Sequence, residues 1–262
     1  MVSNFASCRV RLSLTVDLCQ RADLCNSWLS QSKPRFEYFI SPNSSPREQQ
    51  MPEMNASMSQ DDIWNARLLQ ILASMRSMSL SLSGPFSRTN VNVDDIYSLE
   101  RRIVVLLAET NPRLNSQGVQ IEAENQPTVY QISLAALAYL YLFFRDNLVH
   151  APLFSILISR LFESLFATGT NSITSQAGTG SFLPDENNDR NNLQFWVVAV
   201  GALVATGRLE RNVFVDYLRK LGRQIRVQTF DEYVQVLKRT AWIDSREDGF
   251  LWLLWSEVQG SS

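Results

Sequence analysis

Residues 128–148 read TVYQISLAALAYLYLFFRDNL, and this stretch gives the strongest indication of the fold. Apolar side chains occupy nearly every position up to Phe144, so a helix formed here has no polar face. Such a helix is normally buried at the centre of a bundle. It is too short for the ~20 apolar residues of a membrane span, because Arg145 and Asp146 end the apolar run. We therefore expect a central helix over Thr128–Leu148 and no membrane association.

Two amphipathic helices are predicted before this central helix. The first begins at Ser59, which can cap a helix start, and ends before Gly84-Pro85. The second follows Asp94 and stops at Asn111-Pro112. Their apolar residues recur at steps of three and four, which places them on one helical face: Trp64, Leu68, Ile71, Met75, Met78 and Leu82 in the first, and Ile96, Leu99, Ile103 and Leu106 in the second.

Five more helices are predicted after the central one, which makes about eight in all. The first starts near Pro152, since proline is favoured at the first helical position, and Gly169 suits its C-terminus. A polar loop at 170–192, rich in Thr, Ser, Gly and Asn, follows it. The other four helices span Leu193–Ala205, Leu209–Leu221, Thr229–Thr240 and Phe250–Val258, and the third of these opens with a capping box, Thr229-Phe-Asp-Glu232.

The segment before Ser59 differs in composition from the rest of the chain. Residues 41–59 are rich in Ser, Pro, Asn, Met and Gln and show no apolar period, which is typical of a flexible segment. We therefore predict an all-α protein: a flexible or loosely docked N-terminal segment over 1–58 and a single multi-helix domain over 59–260.

Composition limits the classes of function. The hydrophobic fraction of 45% and the charged fraction of 19% allow a sizeable core, so we expect a soluble globular protein. The formal net charge of −2 argues against direct DNA binding, because nucleic-acid-binding domains usually carry a basic surplus. Cys8, Cys19, Cys25 and the lone His150 offer no zinc-type spacing, so no metal or cofactor site and no disulfide framework is expected.

One motif is compatible with an enzyme. Asp61-Asp62-Ile-Trp-Asn65 matches the D-D-x-x-[DNE] pattern with which all-α terpene synthases hold magnesium and diphosphate. No second metal motif is present downstream, and acidic residues are favoured in the first turn of any helix. We therefore interpret these acids as a helix start and predict no catalytic residues. His150 in a short turn is interpreted as a solvated side chain, since no partner for it is visible in the sequence.

Two other groups of residues have a functional and a structural interpretation. Arg219, Lys220, Arg223 and Arg226, like Lys238-Arg239, stand at helix ends, where cations complement the helix dipole, so a solvated face is favoured over a phosphate site. Three of the six tryptophans, Trp242, Trp252 and Trp255, lie close together near the C-terminus. Core packing is favoured over an aromatic ligand cage, because they stand at helical spacing among Leu and Phe.

Residues 193–258 are similar to the C-terminal end of the fungal-specific regulatory region of zinc-cluster transcription factors. Four pieces in order carry the resemblance. Gly201-Ala202 stands where the family has Gly-Gly, and Val213 and Phe230 stand where it has tryptophan. The four pieces are Phe195–Ala202, Gly207–Phe214, Thr229–Glu232, and Ala241–Asp244 with Leu254–Val258. Weaker similarity extends over Tyr130–Leu165.

The resemblance implies a regulatory domain without the DNA-binding zinc cluster, because that cluster needs six cysteines and this chain has three. It implies a nuclear location, the alternative being cytoplasmic, and protein partners, while self-association and binding of a small effector stay open. The leading hypothesis is therefore a non-enzymatic, fungal transcription-factor-like regulatory domain. A helical interaction protein unrelated to transcription is the second hypothesis, and a magnesium-dependent terpene-synthase-like enzyme built on Asp61 and Asp62 is the third.

Overall fold

The computed structural model of the chain describes Ser27, Pro34 and residues 59–82, 92–111, 126–145, 152–166, 184–243 and 248–260. This part of the chain is 86% helical, with eight helices and no strand, which confirms the all-α prediction. The helices are α1 Gln60–Leu82, α2 Val93–Glu109, α3 Gln126–Tyr139, α4 Pro152–Phe166, α5 Pro184–Val204, α6 Glu210–Gln224, α7 Phe230–Thr240 and α8 Asp248–Gln259.

The central position predicted for α3 is confirmed. It packs against α1, α2, α4 and α5, and its side chains from Ile132 to Leu140 are buried. The α-helix ends at Tyr139 and continues as a π-helical turn, Leu140–Phe144, closed by a hydrogen bond from the Arg145 N–H to the Leu140 carbonyl. The sequence predicted one α-helix to Leu148, so the π turn is a correction.

A second apolar helix, α5, shares the centre of the molecule with α3. Every residue from Phe195 to Ala205 is buried, and the helix contacts α3, α4, α6, α7 and α8. It begins at Pro184, whereas the sequence predicted a loop up to residue 192. Pro184 and the two acids after it are residues that favour a helix start, and the polar composition of 185–192 concealed this. Residues 170–183 of the predicted loop lie outside the described part.

The apolar stripes predicted for the outer helices are confirmed. Trp64, Leu68, Ile71 and Met75 of α1 are buried, as are Ile96, Leu99, Ile103 and Leu106 of α2. One cluster of buried side chains extends from Trp64 to Val258 and thus joins all eight helices. Of the N-terminal segment 1–58, Ser27 and Pro34 alone are described. Ser27 is buried in a small cavity with Val104, Leu107, Ala108, Asn111, Tyr130, Leu134 and Arg160.

Candidate functional site

Of the four stretches quoted for the family resemblance, the first contacts the second and the fourth in the core, whereas Thr229, Asp231 and Glu232 of the third are exposed. Trp196 Nε1 donates a hydrogen bond of 2.8 Å to the Ala241 carbonyl, which joins the first stretch to the fourth. A Cβ atom on Gly201 would lie 2.6 Å from Cε1 of Phe214, so α5 and α6 cross here with the ring against the glycine. These contacts show how three of the four stretches pack together.

A second link of this kind joins α6 to α8. Arg211 Nε and Nη2 each donate a 3.0 Å hydrogen bond to the Glu257 carboxylate, and Nη1 donates to the Ala202 carbonyl. Arg219 donates to the carbonyls of Glu257 and Val258, at 2.8 and 2.7 Å. Two arginines of α6 therefore hold the C-terminal turn of α8, where the Glu257 carbonyl also accepts from the Gly260 N–H at 3.1 Å.

This position of Arg219 differs from the prediction. The sequence favoured a solvated basic face for Arg219, Lys220, Arg223 and Arg226, whereas Arg219 caps another helix and pairs with Asp216. The other three side chains are exposed, as predicted. Arg226 also has a φ of 60°, so it forms the left-handed end of α6 that glycine usually provides.

Asp61 and Asp62 lie in the first turn of α1, as the helix-start interpretation requires. The Asp62 N–H donates to Ser59 Oγ, and the Ser59 hydroxyl donates to the Asp62 carboxylate at 2.7 Å, so the carboxylate takes part in the cap. Within the described ranges no group of three His, Cys, Asp or Glu side chains converges as a metal site would. Cys8, Cys19, Cys25 and His150 lie outside these ranges.

The predicted capping box of α7 is confirmed. Thr229 Oγ1 accepts from the Glu232 N–H, and the Glu232 carboxylate accepts from the backbone N–H groups of Gln228 and Thr229. These two backbone hydrogen bonds lower the pKa of Glu232 below its ordinary value. At the next residue, burial raises the pKa of the Tyr233 hydroxyl, which has no hydrogen-bond partner among the described residues.

The tryptophans divide into two kinds. Trp242 and Trp255 are buried, which confirms the core interpretation for them, whereas Trp252 is 54% exposed. Its neighbours Phe250 and Leu253 are 61% and 58% exposed. We call these three side chains the α8 surface. The Trp252 ring meets that of half-buried Phe230 at a centroid distance of 5.0 Å, so the surface continues onto α7.

A groove of about 300 Å³ lies between α1 and α2. We call it the arginine groove. Its floor contains the buried side chains of Ile71 and Leu106. Arg67, Gln70, Arg101, Arg102, Val105 and Glu109 complete the lining. This groove could not be predicted from the sequence, because each of these residues has the spacing of an ordinary solvated helix face, and their convergence depends on how the two helices pair.

Two side-chain bridges cross the arginine groove. Arg67 Nη1 donates to the Glu109 carboxylate at 2.7 Å, and Arg102 Nη1 donates to Ser74 Oγ at 3.2 Å. The side chains of Arg67 and Glu109 are 33% and 15% exposed, so this ion pair is reachable from solvent. The two bridges join α1 and α2 as antiparallel neighbours. They also place one arginine near each end of the groove, on either side of its apolar floor.

The π turn carries a third polar cluster, which is buried. The carboxylate of Glu100 accepts hydrogen bonds of 2.6 Å from the Tyr141 hydroxyl and 2.7 Å from Arg145 Nη2. The Arg145 guanidinium also lies over the Tyr97 ring, 4.1 Å from its centroid. Because the carboxylate is 5% exposed and is matched by a cation and a hydroxyl, the cluster is satisfied internally and joins α2 to α3.

No helix in the part of the chain that the structure describes is long and apolar enough to cross a membrane. No family model, curated protein or solved structure matches the chain. Its function is therefore inferred from its own residues and their contacts.

Proposed function

We propose that this chain is a helical regulatory domain that acts by binding a protein partner. The resemblance to fungal zinc-cluster transcription factors supports a role in transcription, and with it a nuclear location. Direct recognition of DNA by this chain is not part of the proposal, because the net charge is −2 and three cysteines cannot build a six-cysteine cluster.

The α8 surface is the observation that carries the proposal. Phe250, Trp252 and Leu253 are adjacent along one helix, and more than half of each side chain is in water. Contiguous exposed apolar side chains mark sites of protein–protein contact, and aromatic residues dominate the binding energy at such sites. Burying these three side chains against a partner would recover the roughly 25 cal/mol per Å² that their exposure forgoes.

The surroundings of the α8 surface support a fixed binding face. Trp255 and Leu254 anchor the inner side of α8 in the core, and Arg211 and Arg219 hold its C-terminal turn. A helix held on its inner side and at its end loses little further conformational entropy when a partner docks on the outer side. Arg211, Leu254 and Trp255 belong to the stretches of the family resemblance, so these packing contacts lie next to the proposed binding face.

A tethered reporter assay tests the proposal. The whole chain is fused to an unrelated DNA-binding domain, and expression of a reporter is measured in a fungal cell. We expect the wild-type fusion to change expression, and the triple variant Phe250→Ser/Trp252→Ser/Leu253→Ser to lose the effect. The variant Leu69→Ser/Leu80→Ser serves as the matched control, since both leucines are 65% exposed on α1.

Each result has a defined meaning. A wild-type fusion without effect, or equal loss in the control, contradicts the proposal. Sedimentation of the purified chain shows whether the partner is a second copy, because self-association through the α8 surface would be lost in the triple variant. Stable exclusion of the chain from nuclei would favour the alternative of a helical interaction protein unrelated to transcription. Binding to duplex DNA with a steep salt dependence would contradict the exclusion of DNA.

A magnesium-dependent enzyme is supported by the Asp61–Asn65 motif alone. The structure places the Asp62 carboxylate on the hydroxyl of Ser59, in the cap of α1. Product formation from a prenyl diphosphate with magnesium, abolished by Asp61→Ala, would establish this third hypothesis.

A further inference from the structure

The arginine groove has dimensions that can be derived from its bridges. Arg67 and Ser74 are seven residues apart on α1, and so are Arg102 and Glu109 on α2. With a rise of 1.5 Å per residue, the Arg67–Glu109 bridge and the Ser74–Arg102 bridge lie about 10 Å apart. The buried side chains of Ile71 and Leu106 lie between them, both 1% exposed. The groove is thus an apolar trough with an arginine near each end.

The charge of the lining is positive on a chain that is acidic overall. Among the described lining residues, three arginines and one glutamate have a formal charge of +2, whereas the whole chain carries −2. The guanidinium fork binds carboxylates and phosphates through two parallel hydrogen bonds, and it favours them over neutral ligands. The volume of about 300 Å³ is at the lower end of small-molecule sites, so the fitting ligand is small.

We propose that the arginine groove binds a small organic dianion with a carboxylate or phosphate group at each end of a short apolar spacer. Arg67 takes one oxyanion and Arg102 the other, while the spacer lies between them along half-buried Val105, above the buried side chains of Ile71 and Leu106. The proposal names the class of effector that a regulatory domain would sense, and it rests on the proposed function only for that regulatory meaning.

Glu109 gives the site an internal competitor. Its carboxylate accepts from Arg67 Nη1 at 2.7 Å, so an incoming oxyanion must displace it from that guanidinium. Removing the negative charge of Glu109 should therefore strengthen binding, whereas removing either arginine should weaken it. Opposite effects from two residues of one bridge distinguish ligand binding from loss of structure, because disruption of the bridge would move both in the same direction.

Titration calorimetry on the purified full chain tests the proposal. The probes are the straight aliphatic dicarboxylates from succinate to sebacate and the alkanediol bisphosphates of matching lengths. We expect an affinity maximum where the two anionic groups are about 10 Å apart, and at least about tenfold weaker binding by Arg67→Gln and Arg102→Gln. Glu109→Gln should bind more tightly than wild type. Arg76→Gln, which removes an exposed arginine of α1 outside the groove, should change nothing.

Each result of these titrations either supports or overturns the proposed dianion site. If no dianion binds, if octanoate or inorganic phosphate binds as tightly as the best dianion, or if only an acidic peptide binds, the proposal is overturned. Affinity unaffected by Arg67→Gln and Arg102→Gln also overturns it. Comparison of the two probe series identifies the oxyanion, carboxylate or phosphate. Because the α8 surface is not part of this experiment, failure here leaves the reporter result standing, and the reverse also holds.

Discussion

At the residue scale, the contact between Gly201 and Phe214 limits how closely α5 and α6 approach. The Phe214 ring is fully buried, and its Cε1 lies where a Cβ on residue 201 would be, at 2.6 Å. No rotamer change can move a ring that is enclosed on all sides without disturbing its neighbours. Close packing against α6 therefore requires glycine at position 201, although alanine would have the higher helix propensity within α5.

Substituting Gly201 tests this contact directly. We expect Gly201→Ala to lower the free energy of unfolding by about 1–2 kcal/mol, because overpacking costs more than the helix propensity of alanine returns. Gly222→Ala is the matched control on α6. Its Cβ would lie at an ordinary 3.6 Å from the Phe195 ring, so we expect a gain of about 0.5–1 kcal/mol. Urea unfolding measures both, and equal effects would contradict the close crossing.

The contacts of some residues could be predicted from the sequence, and those of others could not. Thr229 and Glu232 form the predicted capping box, since its partners are three residues apart and any helix start brings them together. The contacts of Arg219 with the carbonyls of Glu257 and Val258 had no such local signal. They join positions nearly forty residues apart, so only the packing of α6 against α8 reveals them.

At the scale of the element, the π turn of α3 determines which side chains meet α2. A π turn adds one residue to a helical turn and so rotates the residues after it relative to an α-helix. Tyr141 and Arg145, within and directly after this turn, both bind the Glu100 carboxylate. Apolar periodicity predicted the length of this helix fairly well but carried no sign of the π turn, because its five residues are all apolar or aromatic.

Removing one partner of the Glu100–Arg145 pair should cost more stability than replacing both partners with apolar residues. We expect Glu100→Leu to destabilise the protein by about 3 kcal/mol, since the Arg145 guanidinium, whose side chain is 16% exposed, would lose its counterion. The double variant Glu100→Leu/Arg145→Leu should recover much of that loss. Denaturant unfolding of both single variants and the double variant gives the coupling energy.

An exposed ion pair provides the control for this cycle. Asp216 pairs with Arg219 at the surface, where the aspartate side chain is 63% exposed. Asp216→Ala should therefore cost less than about 1 kcal/mol. If Glu100→Leu/Arg145→Leu is no more stable than Glu100→Leu, the unpaired charge of Arg145 does not cause the loss of stability, and the prediction for the pair is wrong.

At the scale of the whole molecule, α3 and α5 organise the described residues around them. Each packs against several helices, and the cluster of buried side chains runs from Trp64 to Val258 without a break into separate cores. Shared burial couples the helices energetically, because exposing one face of α3 or α5 leaves its neighbours without partners. A single domain over residues 59–260 remains a prediction from sequence.

Unfolding measurements test that prediction. We expect one cooperative transition in guanidinium chloride, with coincident midpoints for far-ultraviolet circular dichroism and for tryptophan fluorescence. Trp64 lies on α1 and Trp255 on α8, the first and last of the described helices, so the difference in fluorescence between wild type and Trp64→Phe or Trp255→Phe reports on each of these helices. Two separate midpoints, one for each end, would show that the chain consists of two folding units.

The amino-acid sequence alone determined most of the helical segments and the faces that they bury, with the start of α5 at Pro184 and the π turn as exceptions. Stripes such as Leu68–Met75 and the all-apolar run before Arg145 are local patterns, because their residues lie within a few turns of one helix. The convergence of Arg67, Arg102 and Glu109 in one groove, and the contact of Glu100 with Arg145, became visible only in the folded molecule. Those contacts depend on how far each helix is rotated and shifted against its neighbour, and side chains distant in sequence set that rotation together.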